Sequence, residues 1–200
     1  MKSYFLNVAV LFFFLGLIAS CSKMDDSSGC SNNTGWIITG HEWVYDHYSD
    51  YISADSLFVS VTAESDGAFT YNSTYDDGSL YPTFTSYLQP CGNDIYSAKT
   101  VSMADKFIVY KTDGNIGDKW SYTGTTTGGY AATAVNEITG KNITVSVTAG
   151  AFQCLKIHQV LTSSQPSSIP VVTDFYLNNQ YGIIQVDGST TQYNLVRKNF

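Results

Sequence analysis

Lys141-Asn142-Ile143-Thr144-Val145-Ser146-Val147-Thr148-Ala149 sets Ile143, Val145, Val147 and Ala149 on one side of an extended chain and Asn142, Thr144, Ser146 and Thr148 on the other. A two-residue period of this kind describes a strand with one buried and one wet face, as in antiparallel sheets. It recurs upstream, where Leu57, Val59 and Val61 alternate with Ser56, Ser60 and Thr62, broken only by Phe58. Phe69, Tyr71 and Tyr75 share a face opposite Thr70, Asn72 and Thr74. Phe107-Ile108-Val109-Tyr110 is apolar on both faces, as a central strand would be. Ser97 to Lys106 is the one stretch with a trace of helical period.

Turn residues punctuate these runs: Ser65-Asp66-Gly67, Asp76-Asp77-Gly78, Gln89-Pro90-Cys91-Gly92-Asn93, Asp113-Gly114-Asn115, Gly128-Gly129, Thr139-Gly140-Lys141, Asn178-Asn179-Gln180 and Asp187-Gly188-Ser189. Between them the chain is rich in Thr, Val, Ile, Tyr and Phe, which suit a pleated, half-buried surface. Strands are predicted near 40–48, 56–64, 67–75, 80–88, 95–100, 105–111, 118–123, 130–138, 141–149, 151–162, 171–178, 182–187 and 190–197, with some neighbours merging. The predicted fold is all-β, a single curved antiparallel sheet or half-barrel meander of about 10–12 strands, since a sheet of that size must curl to manage its edges. No internal repeat supports a propeller or solenoid.

The β-rich region is 36–200. Residues 21–35 are Ser, Asn, Asp, Gly and Thr with almost nothing apolar, a flexible tether by composition. Residues 1–20 begin with Lys2 and run apolar from Val8 to Ala19. That run is too short for a transmembrane helix, which needs about 20 apolar residues, and has signal-peptide geometry. The chain has 10 Lys and Arg against 17 Asp and Glu. Loss of residues 1–20 removes only Lys2 and leaves the remainder at 9 minus 17, or −8. With no basic stripe, nucleic acid is excluded as a partner, because phosphate contacts need the charges missing here.

Ile18-Ala19-Ser20-Cys21 closes the apolar run with small residues before a cysteine, and resembles the lipobox of bacterial lipoproteins. The resemblance implies cleavage before Cys21 and acyl chains of the palmitate kind on that residue, so the membrane is a partner through a lipid anchor. Ser22 after the cysteine is similar to signals for the outer membrane. Lys23 followed by Asp25 and Asp26 resembles the export tag that displays lipoproteins on the cell surface in Bacteroidota. Localisation at the outer membrane, lipid-anchored and surface-exposed, follows from the resemblance.

With Cys21 assigned to lipid, a disulfide is open among Cys30, Cys91 and Cys154, in three single pairings that each leave one thiol over. Cys154 sits in an apolar run and reads equally as a buried thiol. No CxxC is present, so a redox or zinc motif has no support.

His41-Glu42-Trp43-Val44-Tyr45-Asp46-His47 bears a superficial likeness to a zinc-protease helix, but its histidines are six apart. On a strand they would stand about 20 Å apart, too far to share a metal. They read as ordinary surface histidines, as does the solitary His158. Asp113 and Asp118 flank a turn without calcium-loop spacing. No nucleophile elbow, phosphate loop or dinucleotide fingerprint occurs. No metal, cofactor or catalytic residue is predicted.

Gly114-Asn115-Ile116-Gly117-Asp118-Lys119-Trp120, then Ala149-Gly150-Ala151-Phe152, then Tyr181-Gly182-Ile183 ahead of Tyr193-Asn194-Leu195-Val196 form an ordered set of short motifs. The order resembles uncharacterised envelope β-proteins with the curved-sheet fold of the lipoprotein carrier LolA, over roughly 105–197. It implies a curved antiparallel sheet and carries no catalytic residue.

The expected function is that of a lipid-anchored envelope protein without enzymatic activity. It would bind an apolar or amphipathic ligand, or act as a structural partner of other envelope proteins. Trp43 with Tyr45 and Trp120 with Tyr122 are same-face pairs that would line a concave lipid or glycan site. The rival expectation is a surface glycan-binding protein or a glycoside hydrolase using paired carboxylates. A deep cleft with two buried acids would favour the rival, and a filled interior would favour the structural role. Oligomeric state is not legible in the sequence.

Overall fold

The computed structural model describes residues 30, 34–49, 52–76, 83–126, 128–189 and 191–200. The tether's Cys30, Thr34 and Gly35 are thus included, whereas Cys21, Ser22, Lys23, Asp25 and Asp26 lie outside the described residues. In chain order the strands are β1 Glu42–Ser49, β2 Ile52–Ser65, β3 Ala68–Tyr75, β4 Phe84–Cys91, β5 Asp94–Ala98, β6 Phe107–Lys111, β7 Lys119–Thr125, β8 Ala131–Val147, β9 Gly150–Ser163, β10 Val171–Asn178, β11 Gly182–Gly188 and β12 Thr191–Lys198. No helix occurs among the described residues, hence none long and apolar enough to cross a membrane. The stretch 97–106 instead leaves β5 through two turns, with Met103 at φ 52°.

All twelve strands form one antiparallel sheet in the order β6-β5-β4-β3-β2-β1-β12-β11-β10-β9-β8-β7. Two six-strand meanders, β1–β6 and β7–β12, are therefore joined by the β1–β12 ladder. The sheet curls until its end strands meet: Phe107 on β6 stacks on Tyr122 of β7 at 4.3 Å, and the Lys111 ammonium lies 5.8 Å from the Trp120 ring. The result is a barrel nearly closed by side chains at a β6/β7 seam. Alternation puts Leu57, Val59 and Val61, and likewise Ala132, Ala134 and Ile138, on the buried inner face. Antiparallel pairing sorts the connections into two rims. The near rim holds 66–67, 92–93, 112–118, 148–149 and 179–181; among the described residues the far rim holds 99–106, 126, 128–130 and 164–170. Trp36 and Ile37, 2% and 0% exposed, fill the barrel at the near rim just ahead of β1.

Three sequence expectations are corrected. Thr139-Gly140-Lys141 is not a turn: 130–138 and 141–149 join as β8. Its register slips between Ile138 and Gly140 and again between Gly140 and Ile143, with Asn142 at φ 55°. Such bulges insert unpaired residues and reverse which parity faces inward. The buried parity accordingly changes from the even positions Ala132, Ala134, Asn136 and Ile138 to the odd Val145, and Ile143, next to the second slip, stays 38% exposed. Phe107–Tyr110 is not central but forms the end strand β6. Its doubly apolar appearance comes from a register shift against β5, where Ile95 pairs Tyr110 and Tyr96 pairs Ile108. The shift turns both Val109 and Tyr110 inward. Finally, the 89–93 turn shrinks to Gly92-Asn93, because β4 continues through Pro90 to Cys91. Pro90 is tolerated there because β3 pairs β4 only as far as Leu88, so its missing N–H costs no bond to β3.

Candidate functional site

The four aromatic residues expected to line a site all lie on inward-facing positions. Trp43 and Tyr45 are 2% and 4% exposed, Tyr122 is 5% exposed and Trp120 is half-buried. Each of the first three has its polar atom occupied. Trp43 Nε1 donates to the Tyr181 carbonyl at 2.8 Å, Tyr45 Oη to the Ile183 carbonyl at 2.9 Å, and Tyr122 Oη accepts from Gln159 Nε2 at 3.2 Å. The two pairs are not brought together. Trp43 packs at the near rim, 6.1 Å from Trp36 and 5.1 Å from Phe200, whereas Trp120 and Tyr122 cover the seam.

Of the four, Tyr45 alone reaches the internal cavity. That cavity measures about 60 Å³, with Trp36, Tyr45, Tyr71, Ser73, Ser86 and Tyr110 among its walls. Burial pushes the phenols of Tyr45, Tyr71 and Tyr110 up from their ordinary range, so they stay neutral. Ser73 Oγ and Trp36 Nε1 are buried without a hydrogen-bond partner. Space of this size beside orphaned polar atoms suits a few water molecules. A cavity of about 150 Å³ is what benzene needs, and drug-sized ligands occupy roughly 300 Å³ or more. Outside the barrel, an open groove of about 240 Å³ runs along the start of β1, between Glu42, Val44, Phe58, Arg197 and Asn199. Asn199 braces it, accepting from the Glu42 amide at 2.9 Å and donating to the Gly40 carbonyl at 3.0 Å.

The histidines are dispersed. His41 stacks on Phe200 with centroids 3.7 Å apart, its Nδ1 3.1 Å from the Trp36 carbonyl. His47 corrects the expectation of a surface residue. It is 1% exposed, stacked on Tyr193 at 4.6 Å, and neither ring nitrogen has a partner. Desolvation lowers its pKa below the ordinary value, with Asp55 opposing. On the outer face His158 Nδ1 and Lys156 Nζ each lie 2.8 Å from an oxygen of Asp174. Among the described residues no three His, Cys, Asp or Glu groups converge as metal ligands.

Among the described acids, Asp94, Asp113, Glu137 and Asp174 are engaged with lysines, and Asp105 Oδ1 is buried without a hydrogen-bond partner. Glu137 meets Lys119 at 3.1 Å and Asp94 meets Lys111 at 3.3 Å. Asp113 bonds Lys141 at 2.9 Å, which holds its carboxyl below the usual range, aided by the Gly114 amide. Asp118 accepts the Asn115 amide at 2.8 Å, so the 113–118 segment is a self-bonded polar turn.

One inner-face feature escaped sequence reasoning. Asn136, Gln159 and Thr173 stand in register across β8, β9 and β10, each no more than 2% exposed. Gln159 Nε2 donates to Asn136 Oδ1 at 2.8 Å. The alternation through Ala132, Ala134 and Ile138 was the signal that could have placed Asn136 inside.

The disulfide joins Cys30 to Cys91 across 61 positions and leaves Cys154 as a buried thiol, pushed up to about 12 by desolvation. The bond fastens Cys30, ahead of the buried Thr34, to the β4–β5 hairpin on the near rim.

No protein-family model and no curated protein sequence matches the chain. Two solved structures share its fold. One is a candidate exported protein with a YmcC-like fold from Bacteroides fragilis, TM-score 0.59 at 14% identity, covering 84% of this chain and 99% of that one. The other is a candidate lipoprotein from Parabacteroides distasonis, TM-score 0.58 at 10% identity, covering 84% of this chain and 100% of that one. At these identities the likeness is one of fold.

Proposed function

We propose that the chain is a lipid-anchored protein of the bacterial outer membrane, displayed on the cell surface, whose β domain serves without catalysis as a structural partner of other envelope proteins. The observation that carries the choice between ligand binding and a structural role is the filled interior. A lipid or amphiphile has no place in a cavity of about 60 Å³. A carrier in the manner of LolA would need that space open. The glycoside-hydrolase alternative needs two acids facing one cleft, and Asp94, Asp113, Glu137 and Asp174 lie on lysines instead. The address is supported by Ile18-Ala19-Ser20-Cys21, by Ser22, Lys23, Asp25 and Asp26, and by the exported-protein and lipoprotein descriptions of the two fold neighbours.

Metabolic labelling with a fatty-acid analogue tests the anchor. Cys21→Ser should lose the label and leave the membrane fraction, and Lys23/Asp25/Asp26→Ala should keep the label but lose protease sensitivity on whole cells. Native mass spectrometry of protein purified without detergent should give an empty β domain. A stoichiometric bound lipid or glycan would reinstate the ligand-binding reading, and undiminished labelling of the Cys21 variant would end the lipoprotein reading.

A further inference from the structure

We infer that the near rim of the barrel rests on the bilayer that holds the Cys21 acyl chains, with the 112–118 loop against the surface and the far rim turned away. The inference depends on the lipidation of Cys21 proposed above. It starts from the Cys30–Cys91 disulfide, which fixes the end of the tether to the β4–β5 hairpin. Nine residue steps separate Cys21 from Cys30, and a fully extended chain covers at most about 3.3–3.6 Å per residue, so Cys30 stays within about 30 Å of its anchor. A strand of eight residues is itself about 26 Å long. The far rim could touch the bilayer only with the tether drawn almost straight along the barrel wall. The near rim reaches it at any tether length.

The near rim also offers suitable side chains. Ile169 at 75%, Val101 at 46% and Tyr130 at 39% exposure stand on the far rim, so exposed apolar groups alone do not choose the rim and the tether length does; on the near rim Ile116, at the tip of the 112–118 loop, is 65%, Ile38 44% and Ile143 38% exposed. Beside them Lys198 lies 4.0 Å from the Tyr181 ring and 5.2 Å from Phe200. Aromatic rings with a long cationic side chain suit the headgroup layer, where one end of the group is apolar and the other wet. Charge is not the holding force, because Asp66, Asp94, Asp113 and Asp118 stand on the same rim and Asp94 and Asp113 cancel Lys111 and Lys141. The covalent anchor holds the domain, and the disulfide decides which end faces down.

The test is hydrogen exchange read by mass spectrometry on the acylated full chain in vesicles of phosphatidylethanolamine and phosphatidylglycerol. The reference is the unacylated chain from Ser22, added to the same vesicles. Amides of 112–118 and 148–150 should exchange several-fold more slowly in the acylated protein, while 99–106 and 164–170 exchange at equal rates in both. Slowing at the far rim, or equal rates at both rims, overturns the orientation. A failure of the underlying reading shows separately, as an intact mass without acyl chains and no flotation with the vesicles.

Discussion

His47 is a titratable ring placed where water cannot compensate its charge. Its neighbours are Tyr75 at 5.3 Å and Tyr193 at 4.6 Å, and no acceptor meets either nitrogen. Burial holds its pKa in the folded protein below the ordinary histidine value of about 6.5. As pH falls through that value the unfolded chain takes up a proton that the folded chain refuses, so stability declines from about pH 6.5 downward until the lowered folded pKa is reached. The wild-type melting temperature should therefore drop between pH 7.5 and 5.5 by more than that of His47→Phe, measured by circular dichroism. In a chain of this size each kcal/mol lost lowers the midpoint by about 2–4 °C. Equal drops would show that other groups govern the acid response. The strand pattern held the signal for this burial, because His47 shares the parity of Trp43 and Tyr45, but a titratable ring on an inward position runs against the usual exposure of charged groups and so reads in sequence as a surface residue.

At the scale of elements, the strands were legible wherever alternation and turn residues agreed, as from Leu57 to Val61. They were misread where a bulge stood in for a turn. Gly140 shows why: a Cβ there would lie 3.0 Å from Ile143, so the glycine serves a tight bulge that composition cannot distinguish from a hairpin. The cysteine pairing was equally hidden, since three pairings fit the sequence and only the path of β4 brings Cys91 beside Cys30, with Cα atoms 4.5 Å apart. Loop-closure entropy assigns a crosslink over 61 positions about 4 kcal/mol, an upper figure because native-like structure persists in unfolded chains. Cys30→Ser/Cys91→Ser should lower unfolding stability by about 2–4 kcal/mol in urea titration, with the β-type far-UV spectrum retained. A midpoint unmoved by the double substitution, or by reductant in the wild type, would mean that the bond only positions the tether.

For the whole molecule, curvature and antiparallel pairing followed from sheet size and from periodicity. The candidate site was legible only in part. The parity of Trp43 with Tyr45 and of Trp120 with Tyr122 could be read, but whether the rolled sheet left room between them could not. That depends on which strands become neighbours, and the decisive neighbours are far apart in sequence. Within each meander a strand pairs with the next one along the chain, whereas Tyr45 finds Leu195 across about 150 residues. No local pattern announces such a contact.

That same ladder divides the folding reaction into local and non-local parts. Pairings inside β1–β6 and β7–β12 close short loops. Joining β1 to β12 closes the longest loop in sequence, and where both meanders already stand it is expected to follow the rate-limiting formation of those halves. A substitution at the join, Leu195→Ala at a fully buried position, should cost about 2–5 kcal/mol and appear almost entirely as faster unfolding. Val59→Ala, inside the first meander, should slow refolding instead. If stopped-flow refolding slows as much for Leu195→Ala as for Val59→Ala, the two halves do not form first. If it does not, the barrel's lifetime is set by how seldom the β1–β12 join parts, and the domain ages by unzipping there.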